Sequence, residues 1–210
     1  MTTVICIDTP NIATRLQEKP QQTTEDLKFS LIYITTTQPT REPIYITIPY
    51  TGEARPQHKQ QVIQTIENIM TNIKQTLKQH NFNQLKQQIA HHTTTRTAIQ
   101  ILRLTTPQIQ QRIANITQHT RILNRNLQNT YQQLAHQHKN NIHEDILRYI
   151  ITPITAHTNT ITNTNIKIWL ITYDKDAKNH IQEAQQPLQR LLQQHPHHQP
   201  NIELYTLPPT

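Results

Sequence analysis

Aspartate is scarce in this 210-residue chain. There are five in all, and four of them, Asp8, Asp145, Asp174 and Asp176, sit at the ends of apolar runs. Asp8 closes TVICID. Asp174 and Asp176 follow IKIWLITY, and Asp145 opens HEDILRYI a little before that run. If the two runs lie side by side as parallel strands, their C-terminal ends meet the helix start at one crevice, where open α/β sheets bind ligands. Three or four carboxylates converging there would repel one another unless a divalent cation neutralised them. Hard oxygen ligands favour Mg2+ or Mn2+, and such an ion beside a basic surface suits phosphodiester hydrolysis. Plainer roles stay open for the same residues. Asp174 and Asp176 could cap a helix, Glu144 and Asp145 could complement a helix dipole, and Asp8 in D-T-P-N could belong to a turn.

The elements that must position these acids can be read from hydrophobic periodicity. TVICID and IKIWLITY are continuous apolar runs of the kind found in parallel sheets, and NIELYTL reads as a last strand. Between the last two, Ala177, Ile181, Ala184, Leu188, Leu191 and Leu192 recur at helical spacing, which makes a βαβ unit. NIATRLQEK predicts a short helix ending before Pro20. FSLIYITTT and PIYITIPY read as two strands, a hairpin or a neighbouring pair. Gly52, the one glycine, marks a turn before a helix with Pro56 in its first turn and apolar residues from Val62 to Leu77. A further helical piece is expected around 82–90, then the apolar AIQILRL. Thr106 and Pro107 start another helix, whose stripe of Ile109, Ile113, Ile116, Leu123, Leu127, Tyr131 and Leu134 approaches a heptad seam. Packing within the chain is the simpler expectation for this stripe, although it could form a homodimer through 109–134. The whole reads as one α/β domain over 1–210, with a mostly parallel sheet and a basic helical insertion or subdomain over 55–140.

The charge of that middle segment points to a partner. The formal net charge is +7, and no carboxylate occurs between Glu67 and Glu144. The interval carries Arg96, Arg103, Arg112, Arg121, Arg125 and Lys139 among other cations. One-sided positive charge is the electrostatic footprint of a nucleic-acid binder, for RNA or single-stranded DNA. Scarcity of residues with G-starting codons also suggests base skew, which would explain the abundant Asn, Gln, Thr and His and could remove acids without any ligand.

Several classes are excluded or disfavoured. No apolar run is long enough for a membrane span, and MTTVICIDTP lacks the basic start and cleavage site of a secretory signal. A cytoplasmic protein is expected. Cys6 is the only cysteine, so there is no disulfide framework and no thiolate zinc site. His91 with His92, and His195, His197 and His198, lack the spacing and nearby Glu of a zinc hydrolase. There is no G-x-S-x-G and no Gly-rich phosphate loop. A phosphatase of the haloacid-dehalogenase type wants a second Asp at the place of Pro10.

Three motifs carry a resemblance. ICIDTPN resembles the first motif of PIN-like nucleases, particularly the NYN branch, in which an apolar strand ends in Asp and an Asn follows three residues later. HEDILRYI resembles that family's mid-domain helix start, and WLITYDKDAKNHI is similar to its late strand ending in D-x-D before a helix. The resemblance covers the N-terminal strand and the C-terminal third. It implies a PIN-like fold with Asp8, Asp145, Asp174 and Asp176 as catalytic metal ligands for Mg2+ or Mn2+, supported by Asn11 and Glu144. It implies a nuclease, with RNA expected ahead of DNA. Thr9 and Tyr173 stand where the family carries small residues. The alternative is a non-catalytic nucleic-acid-binding or packaging protein of a virus or mobile element, built on a degenerate nuclease core.

Overall fold

A computed structural model describes residues 2–36, 42–49, 56–78, 105–138, 140–161, 165–193 and 201–207. Within them the chain folds around a five-stranded, all-parallel sheet of order β3-β2-β1-β4-β5. The strands are β1 (Thr2–Ile7), β2 (Ile44–Thr47), β3 (Thr120–Leu123), β4 (Asn165–Ile171) and β5 (Asn201–Leu207). Strand order runs outward one way from β1 through β2 to β3 and the other way from β4 to β5. The reversal between β1 and β4 is the topological switch point.

Helices cover both faces. On one lie α1 (Thr9–Glu18), α2 (Pro20–Thr36), α3 (Pro56–Lys78) and the start of α4 (Thr106–His119), over Ile5, Ile7, Ile46, Trp169 and Ile171. On the other lie α5 (Gln128–His138), α6 (144–156), α7 (Lys175–His180) and α8 (Gln185–Gln193), over Val4, Cys6, Ile168 and Leu170. Alternate residues of β1 and β4 thus feed opposite cores, which is why both strands read as unbroken apolar runs. Trp169 joins three elements, stacking on Tyr205 of β5 at 4.5 Å and meeting Tyr33 of α2 edge-on at 5.8 Å.

The structure corrects three expectations. Residues 29–36 are not a strand; they complete α2, with Leu27, Phe29, Leu31, Ile32 and Ile34 all buried. A short apolar run is ambiguous between buried strand and buried helix, and here the chain from Pro20 onward is already helical. β2 accordingly has no hairpin partner and pairs parallel with β1. The stripe from 109 to 134 is not one helix either. α4 ends at His119, Thr120–Leu123 pair with β2, and α5 begins at Gln128. The open edge of β2 outcompetes helical periodicity over these four residues. A homodimer seam along a continuous 109–134 helix therefore has no helix to form on, and Arg112, Arg121 and Arg125 do not share one. The 55–140 segment thus supplies an edge strand of the sheet as well as helices. The turn at Gly52, the piece at 82–90, AIQILRL and the histidines at 195–198 lie outside the described residues. No described helix is long and apolar enough to cross a membrane.

Candidate functional site

Backbone pairing brings the first carboxylate to the last strand. The Asp8 N–H donates to Ile171 O at 3.1 Å, extending the β1–β4 ladder by one residue and bringing Asp8 beside Thr172. The Thr172 hydroxyl donates to Asp8 Oδ2 at 2.6 Å and accepts the Asp174 N–H at 2.9 Å. Asp8 is also the N-cap of α1, its Oδ1 accepting the Asn11 N–H at 3.3 Å. Asn11 in turn accepts the Tyr173 N–H on Oδ1 at 3.0 Å. Two turns from opposite ends of the sequence are thereby stitched together across the switch point. Asp174 is the N-cap of α7 and accepts the Asp176 N–H at 2.8 Å. Both aspartates therefore cap helices and also line the cleft described below.

The third carboxylate arrives on α6. Pro153 has no N–H to donate and crowds the carbonyl four residues back. The helix widens over Leu147–Ile151 into one π turn, with the Thr152 N–H bonding Leu147 O. Asp145, Arg148 and Tyr149, spaced at i, i+3 and i+4, share the face that meets the cleft. The start of α6 is pinned to the segment after β4. The His143 N–H donates to Glu183 Oε2 at 2.8 Å, the His143 ring stacks on His180 at 4.5 Å, and Glu183 Oε1 meets His180 Nδ1. On the outer side Glu144 takes hydrogen bonds from Arg148 Nη2 and, at 2.7 Å, from the Tyr131 hydroxyl of α5.

These elements enclose an open cleft of about 650 Å3, lined by Asp8, Pro10, Asn11, Thr14, Arg15, Glu18, Asp145, Arg148, Tyr149 and Asp174. Its electrostatics are unusual. Asp8 is 3% exposed. Burial pushes its carboxyl up to about 7, against the pull of the Thr172 and Asn11 hydrogen bonds, and the charges of Asp145 and Asp174 add to the rise. Burial also raises Asp145, which His143 and Arg148 pull down and the adjoining Asp174 carboxyl pushes up. Burial and the nearby Asp8 hold the Tyr149 hydroxyl well above the ordinary tyrosine range. A site with two carboxyls raised by burial and mutual repulsion is where acid–base or metal chemistry is commonly found.

Of the acids singled out in the sequence, Asp8, Asp145 and Asp174 line this cleft together. Asp176 stands on the first turn of α7, exposed and apart from the cleft lining. Glu144 is engaged with Tyr131 and Arg148, and Asn11 holds Asp8 and Tyr173. Arg121 on β3 and Arg125 just beyond it are exposed, and Arg112 belongs to α4. Arg96, Arg103 and Lys139 lie outside the described residues. Six cleft residues were not anticipated as part of a site: Pro10, Thr14, Arg15, Glu18, Arg148 and Tyr149. The signal for Arg15, Arg148 and Tyr149 was helical spacing, since Arg15 stands four residues after Asn11, and Arg148 and Tyr149 stand three and four after Asp145.

The chain matches no protein-family model, no curated protein and no solved structure. Among the described residues, no group of three or more His, Cys, Asp or Glu side chains is placed to hold a single metal ion. The donor set nevertheless suits a small hard cation. Mg2+ keeps several waters and takes only one or two protein carboxylates directly, and Asp145 and Asp174 line the same cleft close enough for the charge of Asp174 to raise Asp145.

Proposed function

We propose that this protein is a divalent-metal-dependent nuclease of PIN-like, NYN-type character, hydrolysing phosphodiester bonds of RNA in preference to single-stranded DNA, in the cytoplasm. The observation that carries the reading is the convergence of Asp8, Asp145 and Asp174, three of the chain's five aspartates, in one cleft at the switch point of a parallel sheet. Asp145 and Asp174 would hold Mg2+ or Mn2+ directly, with Asp8 completing the set. When bound, the ion would lower the pKa of a water and stabilise charge on the departing oxygen. The protein's own contribution is position. Asn11 and Thr172 orient Asp8, Thr172 and the α7 cap orient Asp174, and Glu183 with His143 anchors the helix that carries Asp145. Arg112, Arg121 and Arg125, with Arg96, Arg103 and Lys139, would track the backbone electrostatically, so binding should weaken steeply with added salt.

The test is cleavage of labelled single-stranded RNA and DNA in Mn2+, Mg2+ and chelator, with Asp8→Asn and Asp174→Asn alongside. Metal-dependent cutting lost in both variants is the expected result. A second reading is supported by the absence of a tight three-carboxylate group among the described residues and by the capping roles of Asp8 and Asp174. It is a non-catalytic nucleic-acid-binding or packaging protein with a degenerate core. Binding indifferent to chelator, with no cutting under any metal, would favour it.

A further inference from the structure

The cleft holds two arginines in parallel arrangements, and the difference between them is informative. Arg148 lies over the ring of Tyr131, 4.8 Å from the centroid, and its Nη2 also donates to Tyr131 Oη at 3.0 Å and to Glu144. It is 4% exposed, and its charge is matched within the fold. Arg15 lies over the ring of Tyr173 at 4.5 Å. That ring is fixed at both ends. Its hydroxyl donates to Asp26 Oδ2 at 2.9 Å, and its backbone N–H is held by Asn11. Among the described residues no carboxylate forms an ion pair with Arg15. Stacking engages the flat face of a guanidinium and leaves its edge-on N–H donors unspent. A planar fork placed beside a cleft, with its donors unspent, is suited to bidentate recognition of an oxyanion.

We propose that Arg15, held against Tyr173, seats a phosphate of the nucleic-acid strand against the carboxylate cleft. The role rests on the nuclease reading and deepens it by naming a substrate-positioning residue outside the acidic set and outside the basic middle segment. The charge of the cleft favours such a group. Asp8, Asp145, Asp174 and Glu18 line it, and a cation on the cleft wall eases the approach of a phosphate to these acids beyond what a metal ion held by them would do. Arg148 is engaged by Glu144 and Tyr131, whereas Arg15 is the cleft cation with no acidic partner among the described residues.

The experiment compares wild type with Arg15→Gln and Arg15→Lys, after confirming that all three melt alike. Affinity for a short fluorescent single-stranded RNA is measured by anisotropy in Ca2+ over a range of salt, and kcat and KM for cleavage are measured in Mn2+. Arg15→Gln is expected to raise Kd and KM by roughly tenfold or more, the loss of a charge-assisted pair of hydrogen bonds. It should change kcat much less and reduce the salt slope by about one. Arg15→Lys should recover part of the affinity, since the charge returns without the fork. Unchanged Kd, KM and salt slope in Arg15→Gln would overturn the proposal even if the wild type cuts RNA. If the wild type never cuts but Arg15→Gln still weakens binding, the phosphate seat stands and the nuclease reading falls.

Discussion

Replacing Asp8 by Asn should stabilise the protein at alkaline pH and leave it little changed in acid. Burial raises Asp8 from 3.8 to about 7. Between about pH 4 and pH 7 the folded state therefore binds more protons than the unfolded state, and stability falls as pH rises through that window. At about 1.4 kcal/mol per unit, the ionised carboxylate costs the fold on the order of 4 kcal/mol above pH 7. Asparagine has the same shape and no charge, but one of its two polar atoms is a donor. The Thr172 hydroxyl already accepts the Asp174 N–H, so the amide finds an imperfect partner, a loss of about 1 kcal/mol. The net expectation for Asp8→Asn at pH 8 is a gain of about 3 kcal/mol, a rise in Tm of roughly 6–12 °C for a chain of this size. At pH 4 the variant should be slightly less stable than wild type. Glu183 and Glu203 are held below their ordinary value and act with the opposite sign; the wild-type-minus-variant difference removes their contribution and reports Asp8 together with its coupling to Asp145 and Asp174. The assay is urea unfolding followed by far-UV circular dichroism, in chelator, at pH 4 to 8. A difference that does not change with pH would refute the reasoning, and so would a variant less stable than wild type at pH 8.

Three further outcomes follow from the same geometry. Asn is as good an N-cap as Asp, so Asp174→Asn should melt within about 1 kcal/mol of wild type while losing any Mn2+-dependent rise in Tm; a rise of equal size in both proteins would remove Asp174 from the metal site. Asp176→Asn, exposed and apart from the cleft lining, should retain most cleavage activity, and a loss as complete as that of Asp174→Asn would show that Asp176 turns inward when substrate binds. Thr172→Val removes both the donor to Asp8 and the acceptor for the Asp174 N–H. It should destabilise by about 1–3 kcal/mol, more at pH 8 than at pH 5 because the lost bond is charge-assisted only when Asp8 is ionised. Equal denaturation midpoints for Thr172→Val and wild type at pH 8 would argue against the network.

The sequence by itself determined β1, β4, β5 and offered Asp174 as a cap of α7, whereas Asp8 read as a turn residue and its capping of α1 came from the structure. An unbroken run such as TVICI can only be satisfied by burial on both faces, and a cap is a contact within three residues of its own helix, so both leave local marks. The covering helices of the C-terminal βαβ unit were legible for the same reason, through the spacing of Ala177, Ile181, Ala184 and Leu188. What only the tertiary structure decided is non-local. Residues 29–36 are apolar enough for either a strand or a helix, and their place over the sheet on an already helical α2 selects the helix. Thr120–Leu123 carry a helical pattern, yet the unpaired edge of β2 turns them into a strand. The carboxylates themselves were visible one by one, but their meeting depends on β4 pairing with β1, which only hydrogen bonds between residues some 160 positions apart could settle (Thr172 to Asp8, |i−j| of 164). Which member of D-x-D lines the cleft, and which arginine keeps its donors unspent, were decided by helix geometry and by the tyrosines beneath them.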